Sequence, residues 1–178
     1  VDTWSRGDEG SGSSGDGFQE PVLVCSGEAD LWIVVSGRDP RQEALWHSPD
    51  GGGTWENLTD AVGRIPFYPS VGSFLRSGAG WLVIPGETAT SLLRTQDRGR
   101  SWIDLPSPFL SNDLGGPAEL PEATGFADER RGIMLLTGLD ASGWKDRHPV
   151  LTTGDGGATW LRSDLPADFH PLALSFVP

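Results

Sequence analysis

The stretch Ser48-Pro49-Asp50-Gly51-Gly52-Gly53-Thr54-Trp55 decides how this chain is read. It returns as Thr95-Gln96-Asp97-Arg98-Gly99-Arg100-Ser101-Trp102, and again as Thr153-Gly154-Asp155-Gly156-Gly157-Ala158-Thr159-Trp160. The shared pattern is hydroxyl, any residue, Asp, any residue, Gly, any residue, hydroxyl, Trp. Each copy predicts a tight turn between two strands. The Asp carboxylate accepts hydrogen bonds from backbone N–H groups ahead of it, as in an Asx-turn. The Gly two residues on takes a positive φ without a steric penalty. The second hydroxyl and the Trp then start the next strand, with the indole covering the turn.

Outward from the turns, the flanking segments are short and apolar. Strands are expected at 21–25, 31–35, 44–47 and 55–58 around the first turn, and at 71–75, 81–84, 92–95 and 102–105 around the second. Around the third they are expected at 124–127, 133–137, 150–153 and 160–162. The turn Asp residues lie roughly 50 positions apart, and four short strands in such a period make a propeller blade. No stretch keeps a helical period long enough to compete. The expected fold is therefore all-β: a partial β-propeller of about three four-stranded blades, with one extra strand at each end. The blades are placed at residues 21–60, 70–106 and 122–164, with a further strand at 171–178. Thr3-Trp4 matches the last two positions of an earlier turn, although Val1 stands where its Gly belongs. Three blades and two loose strands do not close a ring of four to eight. The open sheet edges are expected to be covered by a partner, another copy or missing blades.

The three turns resemble the Asp-boxes (BNR repeats) of sialidases, sortilin-type receptors and photosystem-assembly propellers. The resemblance covers residues 22–160. It implies a β-propeller and a structural role for Ser48, Asp50, Gly52, Thr54 and Trp55, for Thr95, Asp97, Gly99, Ser101 and Trp102, and for Thr153, Asp155, Gly157, Thr159 and Trp160. In that family the box is a turn.

Composition narrows the partners. A chain of 178 residues suits one domain with a real core. The net charge of −12 argues against a nucleic-acid partner, which needs clustered Lys and Arg. Lys145 is the one lysine, and the other cations are arginines. The 25 Gly and 14 Pro suit an all-β chain rich in turns. Cys25 is the one cysteine, so it forms no intrachain disulfide, and after the apolar Val22, Leu23 and Val24 it reads as a buried thiol. No run approaches the ~20 apolar residues of a membrane span. Residues 1–20 are acidic and rich in Gly and Ser, which reads as a flexible segment rather than a secretory signal. Their acids lack the spacing of an EF-hand. A cytoplasmic chain, or a mature or trimmed one, fits that start; the family resemblance implies an extracytoplasmic (periplasmic or secreted) location.

Strand alternation sorts the loops onto two faces. The first-to-second and third-to-fourth turns of each blade, the latter being the Asp turns, share one face. The opposite face carries the longer loops: 37–43, 86–91 and 138–149 within blades, and 57–69, 106–121 and 164–171 between them. Such loops on a rigid scaffold are where binding sits. The richest is 138–149, with Trp144, Lys145 and Arg147; Arg64 and Tyr68 add an arginine and the one tyrosine of the chain. These five are the candidate partner-binding residues, with Trp and Arg being common interface anchors. Trp144 also has the option of packing back on its own blade. The Pro-rich 106–121 connection either covers the core edge or presents a partner surface.

The sialidase resemblance implies, for an enzyme, three arginines around the substrate carboxylate, a Tyr nucleophile assisted by a Glu, and an Asp acid/base. Arg64-Ile65-Pro66 matches one arginine motif, but it follows a box where the family's precedes the first. Tyr68 lies four positions on, whereas the family's nucleophile comes late. Glu87 and Glu119 have no motif around them. The constellation is incomplete, so no catalytic residue is assigned. His47, His148 and His170 are scattered and fit no zinc spacing, so no metal or cofactor is assigned. The expected function is a non-catalytic module for protein–protein interaction: a scaffold, assembly or stability subunit docking on a larger complex, a photosynthetic membrane complex in the assembly-factor version. The alternative is a fragment of a secreted sialidase-like glycoside hydrolase.

Overall fold

The computed structural model of the protein describes residues 22–26, 29–34, 45–63, 71–86, 89–110, 119–140, 143–144 and 148–165. Among these, three antiparallel sheets follow one another along the chain. Sheet 1 is the meander β1 (Val22–Cys25), β2 (Leu31–Val34), β3 (Leu45–Ser48) and β4 (Glu56–Asn57). A single helical turn, α1 (Thr59–Val62), follows it. Sheet 2 repeats the meander with β5 (Val71–Phe74), β6 (Gly80–Pro85), β7 (Thr90–Thr95) and β8 (Ile103–Leu105). In sheet 3, β9 (Glu119–Phe126) pairs with β10 (Gly132–Asp140), whose far end also pairs with β11 (Gly143–Trp144). The sheet is completed by β12 (Pro149–Thr153) and β13 (Leu161–Asp164). The first strands adjoin one another: β5 lies against β1 on one side and β9 on the other. Consecutive meanders joined at their innermost strands form an arc of propeller blades.

Sheet 2 is sandwiched, and its sequence shows it. Every residue of β6 is buried, because its alternate side chains enter two different cores. Leu82, Ile84 and Leu93 face sheet 1, where they meet Trp32, Val34, Leu45 and Leu58. Trp81, Val83 and Leu92 face sheet 3, where they meet Phe126, Met134, Leu136 and Leu151. A strand apolar on both faces reads as a continuous run rather than an alternation. The outermost strands β4 and β13 are exposed throughout.

The two joints between sheets are built alike. Trp32 of β2 stacks on Phe74 at the end of β5, with centroids 3.9 Å apart and planes 5° from parallel. Trp81 of β6 stacks in the same way on Phe126 of β9, at 3.5 Å and 2°. The turn tryptophan of the following sheet meets each Phe edge-on, Trp102 on Phe74 and Trp160 on Phe126. Cross-strand from Phe126, Gly132 leaves room for the ring: a Cβ there would stand 2.5 Å from it. Burying each such aromatic contributes roughly 1.5–3 kcal/mol.

The structure moves several expected boundaries. Each turn Trp precedes its strand instead of starting it; β4, β8 and β13 begin one residue later. The first strand of sheet 3 starts at Glu119 rather than near 124, and β10 runs on to Asp140. Residues 119–121 and 138–140, expected as loops, are thus strand, and 143–144 pair with 139–140. Pro121 and Gly138 made these stretches look like loops. They are tolerated because a β-bulge falls beside Pro121, where the register shifts between Leu135 and Leu136.

Candidate functional site

The three Asp turns close by one repeated set of hydrogen bonds. In the second, Ser101 donates both its hydroxyl to Asp97 Oδ2 at 2.6 Å and its backbone N–H to Oδ1 at 2.9 Å. The Thr95 hydroxyl donates to Oδ1 at 2.8 Å and accepts the Gly99 N–H at 2.9 Å. The first turn repeats this with Ser48, Asp50, Gly52 and Thr54, and the third with Thr153, Asp155, Gly157 and Thr159. The Trp102 and Trp160 indoles each donate to the carbonyl of their turn's Gly at 3.0 Å. Trp55 is the most exposed of the three, at 38%. Each turn is also tied to its neighbour on the same face. The N–H groups of Gly51, Arg98 and Gly156 donate to the carbonyls of Ala29, Gly78 and Arg130. The two turn types therefore share one face, as strand alternation predicts.

These carboxylates are occupied. The Ser101 hydroxyl, the Ser101 N–H and Thr95 hold Asp97 down at about 2, and Thr159 and Thr153 hold Asp155 at about 2. Asp50 is lowered by the Thr54 N–H and hydroxyl. An anion held by three or four donors is a poor acid and a weak base. The turns do structural work in this arrangement.

A second polar group lies beside the first turn. Asp30 accepts from the Ser26 hydroxyl, from the Trp32 indole at 3.4 Å and from His47 Nε2 at 2.7 Å. Burial raises its pKa, but the bonds from His47, Ser26 and Trp32 outweigh that and lower it. The types are those of a hydrolase triad, yet the order is wrong. Asp30 stands between Ser26 and His47, so the hydroxyl has no imidazole base. His47 is buried and stacks on Trp32 at 4.1 Å, as a packed histidine before the first turn.

The opposite end of sheet 3 is the best site candidate. Here β9 and β10 outrun their counterparts in sheets 1 and 2, and β11 folds back along β10, pairing Trp144 with Leu139. The extension is braced by charge. Glu119 is buried, at 4% exposure, and takes both terminal nitrogens of Arg162 on β13, reaching Nη1 at 3.1 Å. It also accepts the Leu110 N–H at 3.4 Å. Glu122, the residue left out of register at the bulge, bonds the buried Thr137 hydroxyl and lies 3.7 Å from His148 Nδ1. Glu119 and His148 have no motif around them in the sequence, and Glu122, Thr137 and Arg162 carry no local signal of their partners. Glu119 and Arg162 are 43 positions apart, and no local motif links them.

Of the five candidate partner-binding residues, Trp144 lies on β11 at this end. Arg64, Tyr68, Lys145 and Arg147 lie outside the described residues, as do Glu87, His170 and residues 1–20. The Pro-rich connection divides: Phe109 packs on the core between sheets 2 and 3, while Leu110 is 54% exposed. Among the described residues no group of three or more His, Cys, Asp or Glu converges on a metal position, and no helix is long and apolar enough to cross a membrane.

No protein-family model matches the chain, and no curated protein matches its sequence. Solved structures similar to it include YCF48 from Cyanidioschyzon merolae, at 21% identity and a TM-score of 0.46 over 79% of this chain and 38% of that one. A GH74 xyloglucanase from Xanthomonas campestris is similar at 17% identity and a TM-score of 0.47, over 75% of this chain and 18% of the enzyme. The chain thus spans well under half the length of either.

Proposed function

We propose that this chain is a non-catalytic β-propeller module for protein–protein interaction, a scaffold, assembly or stability subunit whose turns are Asp-boxes. In this reading it docks on a larger complex through the loop end of sheet 3, on the extracytoplasmic side. A photosynthetic membrane complex is the partner that the family resemblance implies. The observation that carries the reading is the braced extension of β9 and β10. Two strands outrun the repeat, β11 with Trp144 pairs back along one of them, and at the same sheet the buried Glu119 is held by Arg162 of the exposed edge strand. A strand extension that carries a tryptophan suits docking, because Trp is a common interface anchor.

Affinity capture with the unaltered chain, Trp144→Ala and Arg147→Ala tests it. The expected result is a co-purifying protein that both variants recover poorly at an unchanged melting temperature. Equal recovery by both variants overturns the docking surface. The hydrolase alternative draws on Glu119 and Glu122, two carboxylates three residues apart at one sheet end. Hydrolysis of a sialoside that is lost on Arg64→Ala would replace the scaffold reading with that one.

A further inference from the structure

Arg98 is the one non-glycine residue with a positive φ among the described residues, at 58°. The same position is Gly51 in the first turn and Gly156 in the third, at 73° and 79°. Left-handed backbone crowds a Cβ against the following carbonyl, so arginine carries strain here that glycine does not. The fold gains little in return. Its N–H makes the same bond to Gly78 that Gly51 and Gly156 make to their neighbours. Its side chain is exposed and makes no hydrogen bond or ion pair with the described residues; its stem lies over Gly78.

The guanidinium borders a shallow hollow on the turn face of sheet 2, lined by Ser77, Gly78, Gln96, Asp97 and Arg100. Asp97 lines it as an ionised carboxylate whose oxygens accept from Ser101 and Thr95 within its own turn. Arg100 has one surface pair, with Glu56 at 3.1 Å, and the contact is mostly exposed and weak. Its counterparts in the other turns are Gly53 and Ala158. The second turn alone therefore carries arginine at both of its variable positions flanking the box Gly, in a chain with 13 cations and a net charge of −12.

We propose that this hollow is a docking site for a short acidic segment of a partner protein, with Asp or Glu carboxylates entering between Arg98 and Arg100. Guanidinium groups take carboxylates in paired, charge-assisted bonds, and Gln96 and Ser77 add uncharged donors at the rim. The range of the charges selects a short ligand over a polyanion. Screening acts over about 8–10 Å, so a peptide of a few residues, ~20 Å at most when extended, keeps its central carboxylates within reach of the local arginines. A nucleic acid, a long acidic glycan or an anionic bilayer extends far beyond that distance and meets the net negative remainder of the chain. The hollow is on the face opposite the β10–β11 hairpin, so it is a second surface, independent of the first.

Anisotropy of a labelled hexaglutamate peptide titrated with the full chain at low salt tests the site, with Arg98→Gly as the variant. Glycine is the residue of the other two turns, so the variant is expected to melt at or above the temperature of the unaltered chain. It is expected to bind hexaglutamate about tenfold more weakly, with binding weakened further when Arg100→Gly is added. Hexaglutamine is expected not to bind. Three results overturn the site: equal binding by Arg98→Gly, equal binding of hexaglutamine, or a lower melting temperature, which would make Arg98 a fold residue. Tighter binding to phosphatidylserine vesicles or to heparin than to hexaglutamate overturns the choice of an acidic protein segment.

Discussion

Gly99 shows how one residue answers two demands. Its φ of 75° suits glycine, and the sequence pattern predicts that much. The structure adds a reason from outside the turn. A Cβ at Gly99 would stand 3.2 Å from both Trp32 and Leu58, which belong to the preceding sheet. Gly157 repeats the arrangement against Trp81 and Leu105. The turn glycine is thus also the seat for the previous blade's tryptophan. Gly99→Ala is expected to destabilise by about 2–4 kcal/mol, adding left-handed strain to overpacking. Chemical denaturation measures it. A loss below that of an exposed turn substitution would mean that the joint yields at no cost.

At the scale of elements, the unit that repeats is the joint. Trp81 is fully buried, stacks on Phe126 and donates its indole N–H to the Gly156 carbonyl at 2.8 Å. It binds sheet 2 to both a strand and a turn of sheet 3. Trp81→Ala is expected to cost about 3–5 kcal/mol, and Trp81→Phe less, since it keeps the stack and loses the bond. If the two variants unfold alike, the stack contributes nothing beyond the bond. The turns and most strands were legible in the sequence, because local chemistry specifies an Asx-turn and short apolar runs specify strands. The far ends of β9 and β10 were not. Pro121, Gly138 and Gly143 carry loop signals locally, and only the pairing partner and the bulge make that segment a strand.

Across the whole molecule, the three turns give stability a common response to acid. Carboxylates in an unfolded chain titrate near ~3.9. Asp97 and Asp155 titrate at about 2 in the fold, so the folded state holds fewer protons between those values. Their stabilisation is complete above about pH 4–5 and is lost as pH falls toward about 2. The melting temperature is expected to be level near neutrality and to fall through that window. An Asp97→Asn, Asp155→Asn double variant is expected to melt lower at pH 7 and to converge on the unaltered chain near pH 2. Parallel curves would show that other carboxylates set the acid limit.

The sequence alone determined the all-β class and the place of the three turns at Asp50, Asp97 and Asp155, because each turn is closed by residues within eight positions of one another. The tertiary structure decided what lies between repeats and at the end of the third. Stacking of Trp32 on Phe74 and of Trp81 on Phe126, the Glu119–Arg162 pair and the left-handed backbone of Arg98 at a position that is glycine in the other turns all join residues remote in the chain or depend on φ. Those relations come from how the sheets pack, and no local pattern encodes them.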